Sequence, residues 1–135
     1  MLSRLDHVAI AVHHVDRAIP YYRDTLELSL VGDEIADDPG VRLVYFDAGN
    51  AFLQLVEPVR ADVPVSRFLH HHGEGLHHVC FATDDLAATA TALDGTSRPG
   101  LFRGGRDRLA CFLSEQPNGV RIELTEVLPS RSAPR

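Results

Sequence analysis

The chain has 135 residues, of which 44% are hydrophobic and 24% charged, and its formal net charge is −6 at pH 7. This size and composition fit one globular domain, and the acidic balance without a basic block argues against a nucleic-acid partner. All thirteen basic residues are arginines, which excludes a lysine Schiff base and a lysine-dependent phosphate loop.

The apolar runs of the chain are short. None approaches the roughly 20 residues of a membrane-spanning helix, and the N-terminus lacks the pattern of a secretory signal. We therefore expect a cytoplasmic location and no membrane partner. Cys80 and Cys111 lie within strand-like apolar runs, which favours free buried thiols over a disulfide.

The first half of the chain reads as a strand, a helix and further strands. The run LDHVAIAV at 5–12 predicts a strand. A helix is predicted from about Asp16 to Leu26, with Asp16 as its N-cap and Pro20 in its first turn. Two more strands are predicted at 41–48 and 51–58.

The second half repeats this order. A strand is predicted from LHHVCFAT at 76–83 and a helix from about Asp85 to Leu93. The runs RLACFLSE at 108–115 and VRIELTEV at 120–127 predict the remaining strands. The two halves therefore share one β-α-β-β-β plan.

This repeat predicts the fold class. We expect an α+β fold in which two tandem βαβββ modules form a curved mixed sheet. The modules would cover about 4–65 and 75–128, within a single domain spanning 1–128. The polar, proline-containing stretch 129–135 is predicted to be a disordered tail.

Two histidines and two other polar residues occupy matching places in the modules. His7 and Gln54 are separated by 47 residues, and His78 and Glu123 by 45. Two imidazoles, a carboxylate and an amide oxygen form a donor set for a divalent metal ion, with cobalt, manganese, zinc, nickel and iron all acceptable. Four protein ligands leave positions open for substrate, which indicates a catalytic site.

The neighbours of the two histidines support this interpretation. Strand alternation places His7 on one face with Ala9 and Ala11, and His78 on one face with Cys80 and Ala82. A face of small residues beside a histidine predicts the wall of a cavity.

The other histidines are given non-ligand roles. His77 is predicted to point to the face opposite His78 and to be structural. His13 and His14 are predicted to lie in solvent. The run HHH at 70–72 is predicted to form the exposed end of a short helix, with a cavity-edge role as the alternative.

Five segments together resemble a known family, from about Leu5 to Val127: LDHVAIAV, YYRDTLEL, FLQLVEP, RFLHHHGEGLHHVCF and GVRIELTE. They resemble the vicinal oxygen chelate (glyoxalase/bleomycin resistance/dioxygenase) superfamily and, within it, the methylmalonyl-CoA epimerases. The resemblance implies two modules joined edge to edge around a metal cleft, commonly in a homodimer. It implies His7, Gln54, His78 and Glu123 as metal ligands, the same residues that the repeat indicates.

The resemblance also implies a reaction. An acyl-CoA substrate, methylmalonyl-CoA or a close relative, would be interconverted between its (2R) and (2S) forms by α-proton abstraction through a metal-stabilised enolate, with Glu123 as one catalytic acid/base. Inversion needs a second such group, and the glutamate known in some family members falls here at Leu43. Possible substitutes by sequence proximity are Glu57, Asp33, Glu34 and Asp38.

Several alternatives remain open at this point. Bacterial glyoxalase I enzymes of the superfamily usually place a glutamate where Gln54 stands, which favours the epimerase, but a glyoxalase-type lyase or isomerase stays the runner-up. Iron-dependent ring cleavage, a natural-product tailoring enzyme and a metal-free small-molecule-binding module are the others. The stretch LFRGGRDR at 101–108 is either a phosphate-contacting loop or an ordinary solvated hairpin.

Overall fold

The structure is a computed structural model that describes residues 1–96 and 99–127. The predicted tail at 129–135 lies outside these residues. No helix in the described ranges has both the length and the apolar character needed to cross a membrane.

The described elements follow the predicted order. The first module contains β1 (Leu2–Ala11), α1 (Val15–Pro20), β2 (Ser29–Ala36), β3 (Val41–Asp47) and β4 (Phe52–Pro58). A linking helix α2 (Pro64–His72) leads into the second module, which contains β5 (Gly75–Thr83), α3 (Leu86–Asp94), β6 (Phe102–Arg103), β7 (Leu109–Phe112) and β8 (Ile122–Glu126). Strand β2 and the two-residue strand β6 were not located from the sequence.

The strands form one curled mixed sheet in the order β2-β3-β4-β1-β5-β8-β7-β6. Each module contains one parallel pair, β1 with β4 and β5 with β8. The modules join edge to edge through the antiparallel pair β1 and β5. The predicted α+β arrangement of two βαβββ modules is confirmed, and matching elements are related by an approximate twofold axis between β1 and β5.

Alternation along the strands separates the two faces of this sheet. On the outer face, α1 packs Val15 and Ile19 against Phe46 and Leu55. Leu86 and Ala90 of α3 pack against Cys111 and Leu124 in the same manner. The concave inner face is covered partly by α2. Its core cluster contains Ala9, Ala11, Val41, Val56 and Leu69, so Ala9 and Ala11 face inwards as predicted.

Helix α3 has the predicted ends. The Asp85 side chain accepts a hydrogen bond from the Ala88 backbone N–H at 3.1 Å, and the helix ends at Gly95 in a left-handed conformation. An aspartate N-cap and a glycine after the last turn are the favoured residues for these positions.

Helix α1 differs from the prediction at its start and in its geometry, whereas the helical segment ends near Leu26 as predicted. It begins at Val15, whose backbone N–H is capped by the Glu57 carboxylate at 2.9 Å, so Asp16 is not the N-cap. It ends at Pro20 and continues as a π-helical turn over Tyr21–Thr25. Proline has no N–H to continue the α-helical ladder.

Candidate active site

The register of the sheet aligns two of the predicted ligands in one row. Cys80 of β5 pairs with His7 of β1 on one side and with Glu123 of β8 on the other. Residues paired across neighbouring strands point to the same face. The side chains of His7 and Glu123 therefore meet over the small Cys80 side chain.

The other two predicted ligands form a second row. Ala9 of β1 pairs with Gln54 of β4 and with His78 of β5. The approximate twofold axis relates this row to the first one, and Ala9 takes the central position that Cys80 has in the first row. A small residue at the centre of each row leaves space above the sheet in which the longer side chains converge.

Three of the four side chains are in direct contact. His7 Nε2 lies 3.2 Å from His78 Nε2, and Glu123 Oε1 lies 3.3 Å from His7 Nε2 and 3.1 Å from His78 Nε2. All three side chains are at least nine-tenths buried. Two imidazole nitrogens and a carboxylate oxygen close together in a buried place fit a divalent metal ion.

Gln54 lies in the wall of the same cavity and is buried. Its amide nitrogen donates a hydrogen bond to the Tyr45 hydroxyl at 2.8 Å, which leaves the amide oxygen available as a metal donor. The phenol thus fixes the orientation of the amide. Tyr45 is almost completely buried, and this burial raises its pKa to about 12.

Electrostatics keep Glu123 ionised. Burial opposes its charge, but the neighbouring His78 and His7 hold the pKa of Glu123 well below its usual range. Burial likewise opposes protonation of His7, while its hydrogen bonds to Asp6 and Glu123 raise the pKa of His7 above its usual value. The site therefore offers a carboxylate charge to a cation.

The cavity over these residues has a volume of about 450 Å³. Much of its wall is apolar and includes Leu43, Val56, Phe102 and Phe112. Leu43 is buried and lines the cavity, so the position at which the resemblance implied a second glutamate is apolar.

Asp6 is part of the site and was missed by the sequence analysis. His7 Nδ1 donates to Asp6 Oδ2 at 2.8 Å, which leaves His7 Nε2 directed towards His78 and Glu123. Burial opposes ionisation of Asp6, but the hydrogen bond from His7 and the charges of Arg106 and Arg108 hold its pKa well below its usual range. A carboxylate on the distal nitrogen of a histidine fixes the tautomer that binds metal through Nε2.

The prediction that His77 points away from the site is wrong. His77 lines the cavity, and its Nδ1 lies 2.7 Å from His78 Nδ1. The cause is a β-bulge: Ala9 pairs with His78 but Ile10 pairs with Leu76, so His77 has no partner on β1. Burial, then the charges of His78 and Arg121, lower the pKa of His77 to about 3, and its ring is neutral.

The 101–108 stretch is the hairpin between β6 and β7, but it is not wholly solvated, because two of its arginines turn into the protein. Arg108 is buried and donates from Nη2 to Asp6 Oδ2 at 3.0 Å and from Nη1 to the Glu126 carbonyl at 2.9 Å. Arg106 also donates to Asp6 and lines the cavity. Only Arg103, among the three arginines of this stretch, is exposed, and it pairs with Asp107.

The structure also distinguishes the four acidic residues that were considered as the second acid/base group in place of Leu43. Glu57 caps helix α1, and Asp33 binds the Arg42 guanidinium through both carboxylate oxygens. Glu34 accepts the backbone N–H of Arg106. Of these four, Asp38 alone lines the cavity.

The remaining sequence predictions concern residues away from the ligands. His13 and His14 are exposed, and the histidines at 70–72 form the exposed end of α2. Cys80 and Cys111 are free and buried. These predictions are confirmed.

Comparisons with known proteins agree with the geometry. The family model described as Glyoxalase/Bleomycin resistance protein/Dioxygenase superfamily matches residues 6–112. The uncharacterized protein YqjC of Bacillus subtilis is 35% identical over 93% of both chains. The ethylmalonyl-CoA/methylmalonyl-CoA epimerase of Cereibacter sphaeroides is 30% identical, over 94% of this chain and 100% of that protein. A solved methylmalonyl-CoA epimerase in complex with methylmalonyl-CoA and NH4+ is 33% identical and superposes with a TM-score of 0.82, covering 93% of this chain and 95% of that one.

Proposed function

The chain belongs to the glyoxalase/bleomycin resistance protein/dioxygenase superfamily, and we propose that it is a metal-dependent epimerase. Its substrate would be methylmalonyl-CoA or a close carboxyacyl-CoA, interconverted between the (2R) and (2S) forms. One observation carries the proposal: His7, His78 and Glu123 meet within 3.3 Å, with Gln54 in the same cavity wall. The relatives named as epimerases support the same reaction.

His7, Gln54, His78 and Glu123 would hold the metal ion. When bound, a divalent metal supplies Lewis-acid stabilisation of the negative charge that develops when a proton leaves the α-carbon. The protein fixes the orientation of these side chains through Asp6 on His7 and Tyr45 on Gln54.

Glu123 is assigned the proton transfer on one face of the α-carbon. It is ionised, it faces the cavity, and it has a carboxylate oxygen against both histidines. Inversion also needs a proton returned on the opposite face. Leu43 cannot carry one, so we assign this second transfer to Asp38, which lines the same cavity at the exposed turn between β2 and β3.

The acyl-CoA partner, the homodimeric assembly and the cytoplasmic location belong to the same proposal. The apolar wall around Leu43, Val56 and Phe112 would receive the acyl substituent and exclude water from the reacting carbon. The Cereibacter relative is named for both ethylmalonyl-CoA and methylmalonyl-CoA, so both thioesters belong in the assay.

Stereochemical inversion tests the proposal. A single epimer of each thioester is incubated with the protein and cobalt or manganese, and formation of the other epimer is followed. Glu123→Gln should lower the rate by about 10²- to 10⁴-fold, the usual contribution of a general acid or base. Glu115→Gln, at an exposed carboxylate, is the matched control and should leave the rate unchanged. A Glu123→Gln protein as active as wild type would exclude the assigned role.

The second transfer has its own readout. Asp38→Asn should abolish inversion while α-proton exchange at the Glu123 face continues, because exchange on one face needs only one acid/base. Equal rates of inversion in Asp38→Asn and wild type would remove Asp38 from the mechanism.

A further inference from the structure

The His77 side chain is held from several sides. Its ring meets that of Phe68 edge-on, with the ring centres 4.8 Å apart, and that of Phe112 edge-on at 6.3 Å. Its backbone carbonyl accepts a hydrogen bond from Arg121 Nη1 at 3.0 Å. These contacts fix the imidazole in place before any ligand arrives, although His77 is not one of the four candidate metal ligands.

One nitrogen of His77 has a partner and the other has none. His77 Nδ1 lies 2.7 Å from His78 Nδ1. His77 Nε2 has no hydrogen-bond partner in residues 1–96 and 99–127, and it is not sealed off from solvent. Because His77 lines the cavity, Nε2 is the atom through which this ring can hydrogen-bond to a ligand.

The contact between the two Nδ1 atoms couples the tautomers of both rings. A neutral imidazole carries its single N–H proton on one of its two nitrogens. If His78 carries its proton on Nδ1, then His77 accepts at Nδ1 and carries its own proton on Nε2. If His78 carries its proton on Nε2, the roles are reversed, and His77 Nε2 is a bare acceptor.

The metal site decides between these two arrangements. His78 Nε2 lies 3.1 Å from the Glu123 carboxylate, which only accepts hydrogen bonds, so in the metal-free protein the proton of His78 belongs on Nε2. His78 Nε2 can bind a metal ion only through its lone pair, so in the loaded site the proton of His78 is on Nδ1. His77 Nε2 is therefore an acceptor in the metal-free protein and a donor in the loaded one.

We propose that His77 donates a hydrogen bond from Nε2–H to the thioester oxygen of the substrate, and that this donor exists only in the metal-loaded protein. The donor is neutral and fixed in place, which suits an oxygen that becomes negative only as the α-proton leaves. His77 and Glu123 line the same cavity, so one bound thioester can contact both. The tautomer coupling stands on the geometry, whereas the thioester as acceptor rests on the proposed function.

The first arm of the test measures the tautomers in the full chain. In 15N-labelled protein, correlations between the ring carbon protons and the ring nitrogens distinguish the two neutral tautomers of a histidine. His77 should carry its proton on Nδ1 in the metal-free protein, and one equivalent of zinc, which is diamagnetic, should move that proton to Nε2. In His78→Ala, zinc should leave His77 unchanged. The same His77 tautomer in wild type with and without bound zinc would overturn the proposal.

The second arm identifies the acceptor in the wild-type protein. Methylmalonyl-CoA, as the mixture of both epimers, is added to the zinc-loaded chain. The His77 Nε2 resonance should shift with the thioester and should not shift with coenzyme A, which has no thioester oxygen. An unchanged resonance with the thioester bound, or an equal shift with coenzyme A, would overturn the assignment.

Variants of His77 separate donation to substrate from contact with His78. The side-chain oxygen of His77→Asn can replace Nδ1 as the acceptor for His78, but the asparagine is too short to replace Nε2. Cobalt affinity should therefore stay close to that of wild type, while inversion at saturating metal should slow by about 10²- to 10³-fold, the usual effect of losing one donor to a developing oxyanion.

Two further variants complete this arm. His77→Gln, whose amide N–H group reaches the Nε2 position, should restore part of the rate. His70→Asn, at the exposed end of α2, is the matched control and should keep the wild-type rate. A wild-type rate in His77→Asn would overturn the donor role.

The arms also separate failure of this donor from failure of the proposed function. A zinc-dependent change of the His77 tautomer without any epimerisation would leave the coupling standing and remove the thioester as its acceptor. Epimerisation with one His77 tautomer in both states would leave the epimerase standing and remove the donor.

Discussion

Asp6 and His77 occupy equivalent positions in the two modules. Asp6 directly precedes His7, and His77 directly precedes His78. Each is the unpaired residue of a β-bulge between β1 and β5. Each contacts the Nδ1 atom of the histidine that follows it. The contact distances are 2.8 Å at His7 and 2.7 Å at His78. The bulges thus direct both Nε2 atoms towards the same point, where they lie 3.2 Å apart.

Loss of the Asp6 carboxylate should weaken metal binding. Asp6→Asn removes the charged acceptor on His7 Nδ1, and partners of this kind typically contribute 10- to 100-fold in metal affinity. Competition between the protein and a chelator for cobalt measures the effect. Asp107→Asn, at an exposed carboxylate, serves as the control. Wild-type affinity in Asp6→Asn would show that Asp6 does not position His7.

Metal should stabilise the folded chain. At a free concentration 100 times its Kd, a ligand of the folded state adds about 2.7 kcal/mol, which for a domain of this size raises Tm by on the order of 10 °C. A chelator should reverse the shift, and His78→Ala should abolish it. His72→Ala, at the exposed end of α2, should retain it. The shift should shrink as the pH falls, because protons compete for the ligand atoms. A Tm that does not respond to any of the divalent metals would count against the site.

Gly105 should not tolerate a side chain. A Cβ atom there would lie 1.9 Å from the Tyr45 hydroxyl and 2.8 Å from Leu43 Cδ1, so Gly105→Ala must displace the loop that carries Arg106. We expect a loss of about 1–3 kcal/mol in the free energy of unfolding, measured by urea denaturation. At Gly104 the nearest atom would be 3.5 Å away, an ordinary contact, and Gly104→Ala should cost far less. Equal effects of the two variants would contradict this packing.

The two cysteines should be unreactive in the folded protein. Burial raises the pKa of Cys111 to about 11 and the pKa of Cys80 well above its usual range. A raised pKa keeps each group as the protonated thiol at pH 8, and the thiolate is the reactive form. Ellman's reagent should therefore react slowly with the native chain and rapidly with two thiols in urea. Rapid reaction of one thiol in the native chain would show that the structure around that cysteine opens readily.

The repeat made much of the fold predictable, and also the convergence of the four candidate ligands on one cavity. Matching polar residues at matching distances locate His7, Gln54, His78 and Glu123, because two copies of one module bring equivalent strands together at the centre of one sheet. The end of α3 was also predictable, since Gly95 and the Asp85 cap are local signals.

The rest depended on contacts that no local pattern encodes. Strict alternation placed His77 on the wrong face, because a bulge shows itself only in the pairing of two strands. The local signal for the bulges was the polar residue directly before HV in each module, in DHV at 6–8 and in HHV at 77–79. Arg106 and Arg108 read as loop residues, and their inward position follows from Asp6, about 100 residues away in sequence.

The central claim is that this chain removes the α-proton of a carboxyacyl thioester through Glu123. Its most direct test is hydrogen–deuterium exchange at C2 of methylmalonyl-CoA in deuterium oxide, followed by proton NMR with cobalt or manganese present. The account predicts enzyme-dependent loss of the C2 proton signal in wild type and its persistence with Glu123→Gln. No exchange by wild type with metal demonstrably bound would contradict the account and assign this site to another reaction.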